Sequence, residues 1–503
     1  MRPGLSLRRV PLLPGLGLVL LALFGTLYLL APQAYFRILG GWGFGPYRTP
    51  FFDAEGLSAQ IRCFRQGIDS YTVNPCDPLN RLFDYSPLWL HMPFMALDHR
   101  GAVWLGFVQA LGFIGSLAVL PRPRTRGGWL FMVLAVASPA SLFAVERSNA
   151  DVPIFCAVAL SIWLLQRGFA ARVGGYGVIM AVALLKFYPL VLLAQFLRET
   201  RGRAAALVLA AGAILAGFAA IFGHDTRRAL RNMPHPQPFG DSFGATQLGQ
   251  AVAIWGQAPL VAVGCVALLG LVSLILAIRL ARGGELAAAM ARLTPAELGG
   301  LLAGALLVEG CFISGVNIGY RAVFLLFAMP GLVALSADAG AGLVGAAQLL
   351  GAPASVLLLW SLVPLALAKQ APLALALPLG AAGLFVALTQ RGARRLPRGL
   401  AVLCLGWLLA AMAAGLGATL VTGLPGSTLF NLACITRDLV WWGVATLLLA
   451  VSCCGVFALP RAQPLERPPR GRLQPPADQG RGQHDNDGAP HQFMRDPIDI
   501  DQR

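Results

Sequence analysis

The run Leu12–Ala31 reads LLPGLGLVLLALFGTLYLLA and contains no charged side chain. About 20 mainly apolar residues are enough for a helix to cross the hydrocarbon of a bilayer. Similar runs recur along most of the 503 residues, of which 57% are hydrophobic and 12% are charged. A soluble domain usually carries about twice that share of charged residues. The composition therefore predicts a protein that spans a membrane many times.

The apolar runs also indicate the class of secondary structure. Only α-helices and closed barrels satisfy every backbone group inside lipid, and these runs lack the two-residue alternation of a barrel strand. We therefore predict an all-α, polytopic helical bundle of about 12 to 14 spans. The bundle is predicted over residues 1–459, with a large first extracytoplasmic loop at 32–85. Residues 460–503 are rich in Pro, Arg, Gln and Asp, a composition that predicts a disordered cytoplasmic tail.

The basic residues indicate the orientation of the chain. The net charge of +16 comes mostly from arginines in short loops between apolar runs and in the tail, and basic flanks mark the cytoplasmic side of a span. Arg8 and Arg9 therefore place the N-terminus inside, and nucleic acid is not expected as a partner. Leu12–Ala31 can be a signal peptide, but its length and Pro14 favour an uncleaved first helix.

This orientation gathers the polar segments on one face of the membrane. We expect a multi-pass protein of the inner (plasma) membrane whose functional face lies outside the cytoplasm. Membrane lipids are its expected surroundings. The segments predicted on that face are 32–85, 146–151, 223–250 and 317–321.

Nine cysteines are scattered along the chain without paired spacing, so a zinc or iron–sulfur site is not expected. His99, His224 and His235 also lack the spacing of metal ligands. Cys63 and Cys76 share the first polar loop, where a disulfide and two free thiols are both open interpretations.

Asp53, in the segment FFDAE, is the candidate catalytic residue of the first loop. A carboxylate at a membrane surface, beside aromatic residues, can take a proton from an acceptor hydroxyl as a general base. The alternative is a solvated loop carboxylate or a helix N-cap. Asp69, in GIDSY, is typical of a turn residue, and Asp77 and Asp84 are interpreted in the same way.

Lys186 stands out because it follows an apolar run and precedes Phe187, Tyr188 and Pro189. A lysine in this position either snorkels to the interface or contacts an anionic group such as a lipid phosphate. Pro189 opens the helix locally, which suits a binding cavity. The segment Gly174–Leu197 is therefore predicted as two short helices that meet near this break.

Two further polar groups complete the candidate site. In ERSNAD at residues 146–151, Arg147 can pair with its neighbours, and Asn149 and Asp151 can bind sugar hydroxyls or cap the next helix. In the second group, Tyr320 and Arg321 can be an ordinary interfacial anchor. The planar guanidinium can equally grip a phosphate.

The order of these motifs resembles that of membrane glycosyltransferases of the GT-C fold. The middle of the chain is similar to glycosyltransferase family 87, and the resemblance covers roughly residues 10–335. Besides the early Asp53, the matching segments are Gly67–Tyr71, Tyr85–Leu88, Ser148–Asp151, Leu185–Pro189, Arg231–Pro234, Phe239–Ser242, Asn317–Arg321 and Phe324–Leu326.

The resemblance implies a reaction and a set of roles. The donor would be a polyprenyl-phosphate-linked sugar, often mannose or arabinose, and the acceptor a lipid, glycan or protein hydroxyl on the extracytoplasmic face. Transfer would invert the anomeric centre with Asp53 as the base, and neither a metal nor a cofactor is required. The substrate-binding residues would be Lys186, Arg321 and Arg147 around the donor phosphate, with Asn149, Asp151, Tyr320 and Asp69.

Two other functions are compatible with a polytopic bundle. A transporter or lipid flippase is the main alternative, but it is expected to carry its charges near the bilayer midplane in broken, repeated helices. A non-catalytic membrane scaffold is the other, and its function would not depend on Asp53.

Overall fold

A computed structural model describes residues 12–43, 45, 47, 49–233, 241–254, 259–315, 317–340, 342–362 and 427–458. By its internal contacts the chain divides into two units, Met1–Ala462 and Gln463–Arg503. The tail predicted at 460–503, the spans predicted between 363 and 426, and the arginines at 8 and 9 lie outside the described residues.

The described part is built almost entirely from helices. The α-helices are α1 Leu12–Leu30, α2 Pro32–Gly41, α3 Phe52–Arg65, α4 His99–Ser116, α5 Arg126–Val136, α6 Pro139–Arg147, α7 Asp151–Leu165, α8 Phe169–Leu185, α9 Arg201–Arg231, α10 Gln247–Ile254, α11 Pro259–Arg282, α12 Glu285–Ala291, α13 Pro295–Ser314, α14 Leu325–Ala337, α15 Gly342–Leu359 and α16 Ser427–Cys453.

Shorter elements connect or extend these helices. The 3₁₀ segments are Pro87–His91, Pro93–Met95, Leu117–Val119, Tyr188–Arg198 and Gly319–Phe324, and a π-helical turn spans Cys454–Ala458. One two-stranded antiparallel sheet joins β1, Ser242–Phe243, to β2, Asn317–Ile318.

Nine helical stretches in the described part of the chain are long and apolar enough to cross a membrane. The prediction of an all-α, multi-pass membrane protein is therefore confirmed. The larger predicted number of spans and the GT-C architecture stay predictions.

The centre of the bundle is the close packing of α13 on α14. The N-terminus of α13 is fixed by a capping box, in which Thr294 and Glu297 satisfy each other's backbone N–H groups. Further along, a Cβ atom on Gly304 would lie 2.5 Å from the backbone nitrogen of Ala328. Small residues let helix backbones approach in this way, and inside a membrane that approach supplies much of the packing energy.

The predicted first loop contains two helices, α2 and α3. Asp53 and Glu55 lie in the first turn of α3, while Arg62 and Arg65 lie in its last turn, so the charges suit the helix dipole. A disulfide joins Cys63 to Cys76, with an S–S distance of 2.11 Å. It decides between the two interpretations that the sequence left open and fastens the end of α3 to the following turn.

Helix boundaries differ from the sequence prediction in one place. The polar loop was expected to begin at Gly223, but α9 continues to Arg231. The residues after Gly223 include Ala, Leu and Arg, which favour helix, so a single glycine does not end it. The predicted break after α8 is present: α8 ends at Leu185, and the chain resumes as a 3₁₀ segment.

Replacing Gly304 with Ala should lower the thermal stability of the detergent-purified protein, because the new methyl group overpacks the contact with Ala328. Overpacking typically costs about 1–3 kcal/mol. Gly299→Ala is the matched control on the same helix, since its Cβ would meet its nearest neighbour at an ordinary 3.5 Å. Equal melting temperatures for both variants would contradict this account of the packing.

Candidate functional site

The start of α3 brings Asp53 against the end of α6. Phe51 precedes α3 in the left-handed conformation, with φ of 63°, and its backbone N–H donates to the carbonyl of Glu146 at 2.6 Å. A non-glycine residue in this conformation is strained, and such strain is often found at functional sites. This turn places Asp53 directly beside Arg147.

The Asp53 carboxylate is buried and fully engaged. Its Oδ1 accepts hydrogen bonds from Arg147 Nη2 at 3.0 Å and Arg81 Nη1 at 3.3 Å. Its Oδ2 accepts one from Asn149 Nδ2 at 2.9 Å. Arg81 also pairs with the buried Asp77 at 3.0 Å. Asp53 therefore lies between two arginines and an amide, and it is not the solvated loop residue of the alternative interpretation.

A second cluster forms around Asp151, which is fully buried at the start of α7. Its Oδ1 accepts from Lys186 Nζ at 2.6 Å and from the Tyr188 hydroxyl at 2.8 Å. Its Oδ2 accepts from Arg321 Nε at 3.1 Å. The Asp151 side chain makes no cap for α7, so the capping interpretation of this residue is wrong.

Asn149 joins the two clusters. Its amide nitrogen donates to Asp53, while its Oδ1 accepts from Lys186 Nζ at 3.2 Å and from the backbone N–H of Asp151 at 3.1 Å. A carboxylate on one side and an ammonium on the other leave the amide only one favourable orientation. Ser148, the residue before Asn149, is also in the left-handed region, with φ of 48°.

Local structure explains why Lys186 and Arg321 reach this place. The helix break at Lys186 leaves the Leu185 carbonyl free of the α8 ladder, and Trp89 Nε1 donates to it at 3.1 Å. Arg321 follows β2, where the side-chain oxygen of Asn317 accepts from its guanidinium. The sheet and the break thus fix the two cations on either side of Asp151.

Asp84 is the residue that sequence reasoning missed. It is half-buried, and no other residue in the described part of the chain forms a hydrogen bond or an ion pair with its carboxylate. Burial raises the pKa of Asp84 to about 6, although the positive charges of Lys186 and Arg81 oppose the shift. The signal in the sequence was its position next to Tyr85, whose hydroxyl lies 3.5 Å from Asn149 Nδ2.

Two predicted residues lie outside the hydrogen-bonded network. Tyr320 is buried and packs edge-on against Phe143, with ring centroids 5.4 Å apart. Asp69 makes the expected turn contact with the backbone N–H of Tyr71 at 3.2 Å, and it pairs with Arg228. Its side chain is 45% exposed, so Asp69 borders the first loop rather than the buried network.

An apolar groove of about 630 Å³ ends beside the network. It lies between α1, α2, α4 and the span formed by α5 and α6, and almost all of its lining is hydrocarbon. At its polar end lie Phe51, Tyr35 and Glu146. The Tyr35 hydroxyl donates to Glu146 Oε1 at 3.3 Å, whereas the buried Oε2 has no partner among the described residues.

The polar network is therefore a compact, charged site at the ends of apolar helices. Within the described residues, no three His, Cys, Asp or Glu side chains are grouped so that they could hold a metal ion. Comparison with protein-family models, curated proteins and solved structures gave no match. The family resemblance and the roles of the individual residues therefore stay predictions.

Asp151→Asn should destabilise the protein strongly, because it leaves the charges of Lys186 and Arg321 buried without a counter-ion. Breaking a buried ion pair typically costs about 3–5 kcal/mol. Thermal unfolding in detergent is the measurement. Asp338→Asn is the control, because its pair with Arg292 is about half exposed and such pairs contribute about 0–1 kcal/mol. Similar losses in both variants would show that the Asp151 cluster is not tightly coupled.

Proposed function

We propose that this protein is a membrane glycosyltransferase of GT-C architecture, resembling family 87, that uses a polyprenyl-phosphate-linked sugar as donor. The observation that carries the proposal is the network itself. Two carboxylates and three cations, which come from distant segments of the chain, converge through one amide: Asp53, Arg147, Asn149, Asp151, Lys186 and Arg321. Charges in such a place are expensive, and they are functional candidates by default.

The cations around Asp151 suit a leaving phosphate. Arg321 has five N–H donors, and the contacts described above use two of its nitrogens, Nε and Nη1. Lys186 adds a positive charge between Asp151 and Asn149. When a sugar is transferred, negative charge grows on the phosphate oxygen that leaves, and a fixed cation stabilises that charge most in a low-dielectric site. We assign the donor phosphate to this pair.

The proton of the acceptor hydroxyl needs a carboxylate. The sequence predicts Asp53 for this role, but three donors already engage its oxygens, whereas no other described residue donates to Asp84. A base works best when its pKa lies near the working pH, which favours Asp84. We therefore propose that Asp84 takes the proton and that Asp53 positions Arg147 and Asn149.

The reaction is then a single displacement. The acceptor oxygen attacks the anomeric carbon of the sugar, and the bond between that carbon and the phosphate oxygen breaks. The phosphate leaves with its isoprenoid carrier, and the hydroxyl proton moves to the carboxylate. Attack opposite the leaving group inverts the anomeric centre. The donor sugar is mannose- or arabinose-like by resemblance.

The compartment is part of the same proposal. Disulfides form and persist in oxidising compartments such as the bacterial periplasm, so the Cys63–Cys76 bridge supports an extracytoplasmic position for α3 and Asp53. The arginine-rich segments at the opposite helix ends support a cytoplasmic location for those loops. Together they favour an inner-membrane enzyme whose site faces the periplasm or exterior.

Asp53→Asn should reduce sugar transfer by about 100-fold or more, because Arg147 and Asn149 lose the carboxylate that positions them. This loss is of the same order as that expected on the alternative assignment, in which Asp53 is the general base. The assay uses purified protein and a panel of polyprenyl-phosphate sugars, with products scored by mass spectrometry. Asp225→Asn is the control, since Asp225 lies at the exposed end of α9. Normal transfer by the Asp53 variant would remove this residue from the mechanism.

The pH profile separates the two carboxylates. With Asp84 as the base, transfer should rise with pH through about 6 and level off above it, because only the ionised form accepts a proton. Asp84→Asn should abolish that rise, whereas the residual activity of Asp53→Asn should keep it. A profile that lacks the limb only in the Asp53 variant would assign the proton to Asp53.

Stability provides an independent check on Asp84. Because its pKa is higher in the folded chain than the ordinary 3.8, ionisation costs stability as the pH rises from about 4 to about 6. Asp84→Asn removes that cost, so the variant should melt at a higher temperature than the parent at pH 7 and gain less at pH 4. A lower melting temperature at pH 7 would contradict the assigned burial cost.

A further inference from the structure

We propose that the apolar groove beside α1 holds the chain of the acceptor, and that the acceptor is a lipid whose head carries neutral hydroxyl groups rather than a phosphate. This inference rests on the proposed function and names the acceptor class, which the sequence left open between a lipid, a glycan and a protein.

The groove has the form expected for a hydrocarbon chain. Its wall follows α1 from Gly17 to Leu29, a rise of about 18 Å at 1.5 Å per residue. Phe107 and Leu111 of α4 contribute the opposite wall. A groove this long and apolar, within helices that span the membrane, buries a chain of the same chemistry as its surroundings.

The polar end of the groove selects the head group. Glu146 lines this end, and its Oε2 is buried with no partner among the described residues. A buried carboxylate oxygen without a donor is costly, and a hydroxyl of the ligand supplies that donor. The adjacent Arg147 does not neutralise the charge of Glu146 at this end, because its guanidinium pairs with Asp53. At this end the negative charge of an ionised Glu146, which no cation pairs among the described residues, would repel a phosphate.

The groove also ends on the side of the network where Asp53 lies, away from the cations assigned to the donor. Phe51 and Glu146 are held together by a backbone hydrogen bond, and Asp53 lies two residues beyond Phe51. The cations assigned to the donor phosphate, Lys186 and Arg321, lie on the far side of Asn149. A lipid seated in the groove therefore presents its hydroxyl to the carboxylate side of the site, while the donor occupies the cationic side.

The chain offers a clean way to block the groove. Gly25 lines it, and a Cβ atom at Gly25 would meet no protein atom within 4 Å. Gly25→Phe therefore starts from a position with room for its Cβ and places a bulky ring in the groove. Gly212→Phe on α9 is the matched control, because a Cβ there also meets nothing within 4 Å and Gly212 does not line the groove.

Binding is measured by native mass spectrometry of the full chain with two probes that share one acyl chain. Monooleoylglycerol has a neutral dihydroxy head, and oleoyl lysophosphatidic acid has a phosphate in its place. The parent should bind the neutral probe at least about tenfold more tightly. Gly25→Phe should weaken that binding about tenfold, and Gly212→Phe should leave it unchanged. Glu146→Gln, which removes the charge, should improve binding of the phosphate probe.

A second groove variant keeps the test decisive if Gly25→Phe does not fold. Leu111→Trp narrows the groove from α4, and Val108→Trp, on the exposed face of the same helix, is its control. Weaker binding in either folded groove variant supports the assignment. Tighter binding of the phosphate probe would assign the groove to the donor carrier and overturn it. Unchanged binding in both variants, or no binding to the parent because other parts of the chain cover the groove, would also overturn it.

These outcomes are separate from those of the proposed function, because binding needs no transfer. Selective binding of the neutral probe without sugar transfer from any donor would keep the lipid site and remove the transferase. Transfer from a polyprenyl-phosphate donor to a soluble glycan or peptide, with no effect of Gly25→Phe on its KM, would keep the transferase and remove the lipid acceptor.

Discussion

A charge inside a membrane protein must have a partner, and the buried Asp151 is where this requirement is strongest. Its two oxygens accept from Lys186, Tyr188 and Arg321, which come from two separate segments of the chain. To bring these donors together, α8 stops before the lysine and a short sheet precedes the arginine. The helix break after α8 and the short sheet thus both bring a hydrogen-bond donor to this carboxylate.

Beside the paired charges of this network, two nearby carboxylates stand out. Among the described residues, no other residue donates to Asp84, and Glu146 Oε2 has no partner. Glu146 lies close to two residues in strained backbone conformations, Phe51 and Ser148. Native proteins satisfy nearly all of their buried polar groups, so the unsatisfied Glu146 oxygen beside this network adds to the indication of function that the paired cations give. The structure thus distinguishes groups that hold the site from groups that are free to meet a ligand.

The helical class could be predicted from the sequence because every backbone N–H and C=O group inside lipid must be hydrogen-bonded, which a helix does within each span. The break at Lys186 was also predictable, since Pro189 cannot continue a regular helix. Asp84 and Glu146 were not identified, because a carboxylate in a polar loop or at a helix end has the same local pattern whether it is paired or free. The difference depends on donors that are distant in sequence, and no local spacing contains that information. The capping interpretation of Asp151 failed for the same reason.

The amide of Asn149 has a thermodynamic consequence. Its NH₂ group donates to the Asp53 carboxylate, and its oxygen accepts from the Lys186 ammonium. Rotating the amide by about 180° would place oxygen against the carboxylate and NH₂ against the ammonium. A molecule that draws Lys186 away from this amide therefore loosens the hold on Asp53, and a molecule that moves Asp53 has the converse effect. Linkage requires the two influences to be equal in free energy. Occupancy at either end of the site should thus alter affinity at the other, so that two ligands bind cooperatively or antagonistically rather than independently.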